Sequence, residues 1–209
     1  MKWQISVVLL LALSLSACGP MKLSGATPTD TTYAVDGVKL ISSSISRGDD
    51  ARTYGQRRYT ISSEARVLLR FESLTTSQSK ILKTQPIWIR VFTPDAAGQT
   101  TAVANLKACP VLEDWMMAAS WKSAHPYRGG EWKDGAPIED DECTPATAIA
   151  STTGDCAATN AVCFDVSSWY KHYVVERGLN FGHALTSETP VEILGDGSHS
   201  KGPRIQWSE

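Results

Sequence analysis

The chain closes with three short extended runs, at 181–187, 191–194 and 204–207, each bounded by turn-forming residues. Within them apolar and polar residues tend to alternate, as in Val191-Glu192-Ile193 and Ile205-Gln206-Trp207. Successive side chains of a strand point to opposite faces, so this pattern describes strands with one face in a core and one in water. Ahead of them, Phe164-Asp165-Val166-Ser167-Ser168-Trp169-Tyr170 ends an extended run and turns helical. Ser167 is the expected N-cap, its hydroxyl accepting from a free N–H of the first turn. Trp169, Tyr170, Tyr173 and Val174 then recur at helical spacing until Gly178 stops the helix.

The first half carries the same signature. A first strand is expected within 33–44, where Val35, Val38 and Leu40 alternate with smaller or polar neighbours. Residues 47–58 are polar, with Gly48-Asp49-Asp50 as a turn signal. In 65–72, Val67, Leu69 and Phe71 should face one way and Leu68 and Arg70 the other. The run Ile87-Trp88-Ile89-Arg90-Val91-Phe92 is apolar on both faces, which predicts a central strand. No internal repeat is visible.

These runs, in this order, resemble the DNRLRE-type domains of bacterial secreted proteins. Leu68-Leu69-Arg70-Phe71, Ile87-Trp88-Ile89-Arg90-Val91 and the segment from Trp115 to Ser120-Trp121 match the early pattern of that family. Asp165-Val166-Ser167-Ser168-Trp169, Gly182-His183-Ala184-Leu185-Thr186-Ser187, Val191-Glu192-Ile193 and Pro203-Arg204-Ile205-Gln206-Trp207 match its later half. The resemblance implies an all-β, jelly-roll-like antiparallel β-sandwich with one short helix, of the kind found in carbohydrate-binding modules. It implies binding of a glycan or cell-wall polysaccharide and no enzymatic activity. The chain departs from the family in an insertion at 134–160 and in its cysteines, which leaves loop function open. The alternative role is structural or adhesive display towards another protein or a cell surface.

The N-terminal end reads as a targeting segment. Lys2 supplies a positive start, 5–15 is an apolar run too short to span a bilayer comfortably, and Ser16-Ala17 precede Cys18. Leu15-Ser16-Ala17-Cys18 resembles the lipobox of bacterial lipoproteins. By that resemblance, 1–17 is a lipoprotein signal peptide and Cys18 becomes the acylated N-terminus. Gly19 favours the outer membrane, and several acyl chains anchor stably. Residues 18–32 are Thr/Pro/Ser/Gly-rich and form a flexible tether, leaving 33–209 as a single domain. A formal net charge of −2 without basic clusters argues against a nucleic-acid partner.

With Cys18 set aside, Cys109, Cys143, Cys156 and Cys163 remain. In an exported chain they suggest two disulfides with three possible connectivities. Order and proximity favour Cys109–Cys143 and Cys156–Cys163. Four thiolates could instead hold zinc, but no C-x-x-C spacing occurs.

Among the tryptophans, Trp88, Trp169 and Trp207 fall in the strand or helix pattern and are expected in the core. Trp115 and Trp121, in the family-like segment, are expected to be structural. Trp132 lies in a Gly-rich polar loop with no periodicity to hide it, so Trp132 with Tyr127 is the expected surface for stacking a sugar ring. The acidic run Glu139-Asp140-Asp141-Glu142 could supply oxygen ligands for Ca²⁺, although it lacks the spacing of an EF-hand loop. His125, His172, His183 and His199 form no metal-binding pair in sequence, and no G-x-S-x-G elbow occurs.

Overall fold

A computed structural model describes residues 33–34, 39–53, 55–72, 80, 83–94, 104–125, 131–148 and 161–207. The expected signal peptide, Cys18 and tether lie outside the described residues. The described strands form three antiparallel sheets, and the fold is an all-β sandwich with a short helix that begins at Ser167. In one sheet, β1 (Tyr33–Ala34), β13 (Arg204–Trp207), β6 (Ile87–Phe92), β10 (Ala161–Asp165) and β9 (Thr147–Ala148) lie in that order. The second runs β3 (Asp49–Thr53), β2 (Lys39–Ser46), β5 (Ala65–Glu72), β11 (His183–Thr186), β7 (Lys107–Pro110) and β8 (Thr144–Pro145). A two-stranded sheet pairs β12 (Val191–Leu194) with β4 (Arg58–Ile61).

Alternation decides which residues meet. Val67, Leu69 and Phe71 of β5 face Ile87, Ile89 and Val91 of β6 across the main core, joined by Val162, Phe164, Leu185 and Ile205. Ile61, Val191 and Ile193 of the two-stranded sheet complete it. Burying each such side chain contributes about 1.5–3 kcal/mol. β6 is central, between β13 and β10, as its two apolar faces predict. The first extended run is divided: β1 pairs at the edge of one sheet with β13, while β2 runs the length of β5 in the other. Trp207 takes its strand position opposite Ile87, and its side chain falls outside the described residues.

The helix caps one end of this core. Ser167–Trp169 make a first α-helical turn, and Tyr170–Glu176 continue as a wider π-helix. Ser167 is not its N-cap. It is already the first helical residue, and its Oγ accepts from the Ile87 N–H (2.8 Å), splinting the start of β6. The turn is instead closed from behind by Asp165, whose Oδ1 accepts from the Ser167 N–H (3.0 Å) and from its hydroxyl. After Gly178, at φ +69°, the chain runs back to β11. Gly182 there sits at φ +79° with the Leu69 carbonyl 2.1 Å from where a Cβ would be. Only glycine lets this turn pass so close to β5, which gives the glycine of the family-like motif its physical reason.

Candidate functional site

The outer face of the six-stranded sheet is also buried. Ile41, Ser43 and Ile45 of β2, Arg66, Leu68 and Arg70 of β5, and Ala184 of β11 project from it. Over them lies the excursion between β7 and β8. Trp115, Trp121 and Trp132 from that excursion form a second core with Ile45, Leu68, Val111 and Ala184. The base of the excursion closes like a hairpin: Leu112 N–H donates to Pro137 O and Glu139 N–H to Pro110 O, both at 3.0 Å. The Cys109–Cys143 disulfide then fastens it.

The arginines of β5 explain how the cap is held. The Arg70 guanidinium lies 5.1 Å from the Trp115 ring centroid, and Arg66 lies 5.1 Å from that of Trp121. Arg66 also donates to Ala136 O (2.7 Å), while Arg47 forms an ion pair with Asp134. Burial beneath the cap lowers the pKa of Arg66, an effect its acidic neighbours Asp134 and Asp140 oppose.

Trp132 is therefore a core residue and not a stacking platform. Its ring is 5% exposed, its backbone N–H donates to Lys122 O (2.8 Å), and its Nε1–H donates to Glu113 Oε2 (3.1 Å). A Gly-rich polar loop hides its tryptophan because the partners are supplied by distant strands. Tyr127 lies outside the described residues. Trp115 (0% exposed), Trp121 and Trp169 are buried as expected, and Trp88 is half-buried.

The acidic run does not assemble a cation site. Asp140–Glu142 form a 3₁₀ turn, in which consecutive side chains diverge by about a third of a revolution. Glu139 is held by its backbone to Pro110. Among the described residues, no three His, Cys, Asp or Glu side chains gather to hold a metal ion. The carboxylates of Glu139, Asp140, Asp141 and Glu142, expected as oxygen ligands for Ca²⁺, are thus not gathered at one point.

Cys109 pairs with Cys143, as order and proximity suggest. Cys163, buried on β10, is itself disulfide-bonded. Its expected partner Cys156 lies outside the described residues. His125 stands 3.8 Å from Asp114, and His172 3.1 Å from Glu176 one helical turn on. His183 is 1% exposed, and burial pushes its imidazole down to about 3, so it is neutral at physiological pH. The side chain of His199 falls outside the described residues.

With the sheet face closed, open space lies at the rims. Two cavities of about 340 and 440 Å³ meet at Arg66, Ile138 and Asp140, along the edge of the cap. A third, of about 340 Å³, lies between the helix and the turn leading into β8. Glu142, Thr144, Trp169, His172, Tyr173 and His183 are among its walls. There the Trp169 and Tyr173 rings stack with centroids 5.7 Å apart, and the His183 ring meets Trp169 at 4.5 Å, edge to face. The His183 Nδ1 and the Tyr170 hydroxyl are buried without a hydrogen-bond partner among the described residues. Sequence reasoning missed this cavity because helical spacing assigns Trp169 to the core, where it does lie. The signal was the repetition of aromatic and imidazole rings at 169, 170, 172 and 173.

The fold and its rims define a capped antiparallel sandwich without a metal centre among the described residues. No protein-family model matches the chain, and no curated protein matches its sequence. No described helix is long and apolar enough to cross a membrane.

Proposed function

We propose that the protein is a non-catalytic, lipid-anchored protein of the outer membrane that binds glycan at the rim of its sandwich, as the DNRLRE-type resemblance implies. The observation that carries this reading is the cavity at the helix end, where Trp169, Tyr173 and His183 meet Glu142 and Thr144. Aromatic walls with a few polar groups suit the apolar faces and hydroxyls of a sugar ring. The six-stranded sheet offers no comparable surface, since both of its faces are packed.

The test is retention of the full chain, purified in detergent, on a panel of soluble and insoluble polysaccharides. Retention on one glycan class supports the reading, and no retention on any glycan by folded protein defeats it. A second reading, display of the sandwich to a protein partner, is favoured by the burial of Trp132 and by exposed Leu112 and Met117 on the cap. Cross-linking at the cell surface through a photo-reactive group at position 117 tests it. The anchor is tested separately, by the mass of the N-terminal peptide: acylation of Cys18 adds its acyl chains there.

A further inference from the structure

The Cys109–Cys143 bond lies at the edge of the cap, beside charged and hydroxyl side chains of the outer sheet face. Alternation puts Lys107 and Cys109 on the side of β7 away from the main core, since Ala108 between them faces inward. On β11 the register sets Thr186 opposite Lys107 and Ala184 opposite Cys109, on that same outer side. Arg66 projects from β5 on this face, and Arg66, Lys107, Thr186 and Cys143 all line the cavity of about 340 Å³ at the cap edge. The two sulfurs differ in access. Cys109 is 1% exposed, whereas Cys143 is half-buried and borders the cavity. Cys163 is bonded but fully buried, so among the described residues Cys143 carries the disulfide sulfur that a thiolate can reach. The Thr186 hydroxyl stands 3.5 Å from Cys109 Sγ, placed to donate to a Cys109 thiolate. Lys107 and Arg66 bring positive charge to the same cavity, which Asp140 and Glu188 partly balance. Cations and donors that stabilise a departing thiolate speed exchange, because the better leaving group departs more readily. The same bond ties the base of the cap, whose ion pairs from Arg47 and Arg70 end on exposed Asp134 and Asp114 and so contribute little.

We propose that this bond is a thiol–disulfide exchange site through which a dithiol reductant unlatches the cap from the sheet. A thiolate of the dithiol attacks Cys143 Sγ from the cavity, forming a mixed disulfide as the Cys109–Cys143 bond breaks. Cys109 leaves as a thiolate facing the Thr186 hydroxyl and takes a proton from solvent. The second thiol, having lost its proton to solvent, attacks the reductant's own sulfur in the mixed disulfide and expels Cys143, which is protonated in turn. The dithiol ends as a disulfide, oxidised by two electrons, and the two cysteines end as thiols. Without the link, the span of 34 residues between them loses a loop constraint that favours the closed cap by roughly a few hundredfold. Opening uncovers Ile45, Leu68 and Ala184 on the sheet and Trp115, Trp121 and Trp132 on the cap. This site does not depend on the glycan reading.

Limited reduction of the folded full chain in detergent with dithiothreitol, quenched by acid and read by alkylation and peptide mass spectrometry, tests the chemistry. Cys109–Cys143 should open about tenfold faster, or more, than the bond that holds Cys163. With glutathione, a monothiol, the mixed disulfide should sit on Cys143 and not on Cys109. Thr186→Val keeps the β-branched shape and should slow opening about threefold or more with Tm unchanged within a few degrees, an effect that a purely structural threonine would not give. Hydrogen exchange on the Cys109→Ser/Cys143→Ser chain tests the latch. The amides of Leu112, Trp132 and Glu139, bonded within the closed cap, should exchange about a hundredfold faster than in the parent. They should also outpace the amide of Ile89, on central β6, in the same variant by about tenfold. Four results overturn the assignment: opening no faster than that of the Cys163 bond, glutathione on Cys109, a Thr186→Val rate equal to the parent's, or cap amides that exchange only in step with Ile89.

Discussion

Replacing Trp132 separates a structural residue from a ligand platform more sharply than any other change in this chain. In the fold its indole is 5% exposed, packed in the second core, and bonded through Nε1 to Glu113. Truncation of a buried tryptophan to alanine costs about 3–5 kcal/mol, from lost transfer energy and the cavity left behind. Glu113 is exposed and regains water, so the lost hydrogen bond adds little beyond that range. For a domain of this size 1 kcal/mol moves Tm by about 2–4 °C, so Trp132→Ala should lower Tm by roughly 6–20 °C. Trp132→Phe keeps most of the apolar volume and should cost about 1–2 kcal/mol. Urea unfolding followed by circular dichroism measures both. A Trp132→Ala protein that unfolds within about 1 kcal/mol of the parent would refute the packing argument. Loss of glycan retention in such a stable variant would restore Trp132 as a binding residue.

Three further outcomes follow from the geometry. The Cys109–Cys143 link closes a sequence separation of 34 residues, for which chain entropy gives about 4 kcal/mol. Cys109→Ser/Cys143→Ser should therefore lower the urea midpoint, as equilibrium unfolding will show. Gly182→Ala forces a Cβ against the Leu69 carbonyl at positive φ, and should cost at least about 2 kcal/mol in the same assay. His183 is held neutral in the fold at about 3, below its ordinary value of 6.5, with Trp169 and Tyr170 against it and Glu142 and His172 lining the adjoining cavity. Its unfolded form takes up a proton first as pH falls. The stability it contributes is thus complete above about pH 6.5 and is lost towards pH 3, at about 1.4 kcal/mol per pH unit. Unfolding of the parent and of His183→Gln between pH 7.5 and 4.5 should give a shallower slope for the variant, and parallel slopes would contradict the assignment.

What the sequence disclosed and what it hid divide along a physical line. The runs at 65–72, 87–92, 191–194 and 204–207 are strands at those boundaries, because alternation is a local property and the core uses it directly. The opposed faces of β5 were equally legible from Val67, Leu69 and Phe71 against Leu68 and Arg70. The sequence could not show that the second face is also covered, since Arg66 and Arg70 meet Trp121 and Trp115 from about fifty residues away. Trp132 was misread for the same reason: a polar, Gly-rich context describes the neighbours in the chain and not those in space. Ser167 had the right chemistry for a cap but was drawn instead to the Ile87 N–H of β6, a contact across 80 positions. The candidate cavity combines residues of the turn at 140–142, β8, the helix and β11. Helical spacing showed its aromatic wall, but only the sheet order brings His183 beneath it.

The central claim is that tryptophans seal the outer sheet face and leave binding to the rim. Hydroxyl-radical footprinting of the full chain, read by peptide mass spectrometry and normalised to the unfolded protein, tests it most directly. Trp115 and Trp132 should be strongly protected, while Met117 on the cap's outer side, 44% exposed, should react at a rate close to that of the unfolded chain. Trp132 oxidised as readily as Met117 would contradict the sealed face and return the loop to the surface.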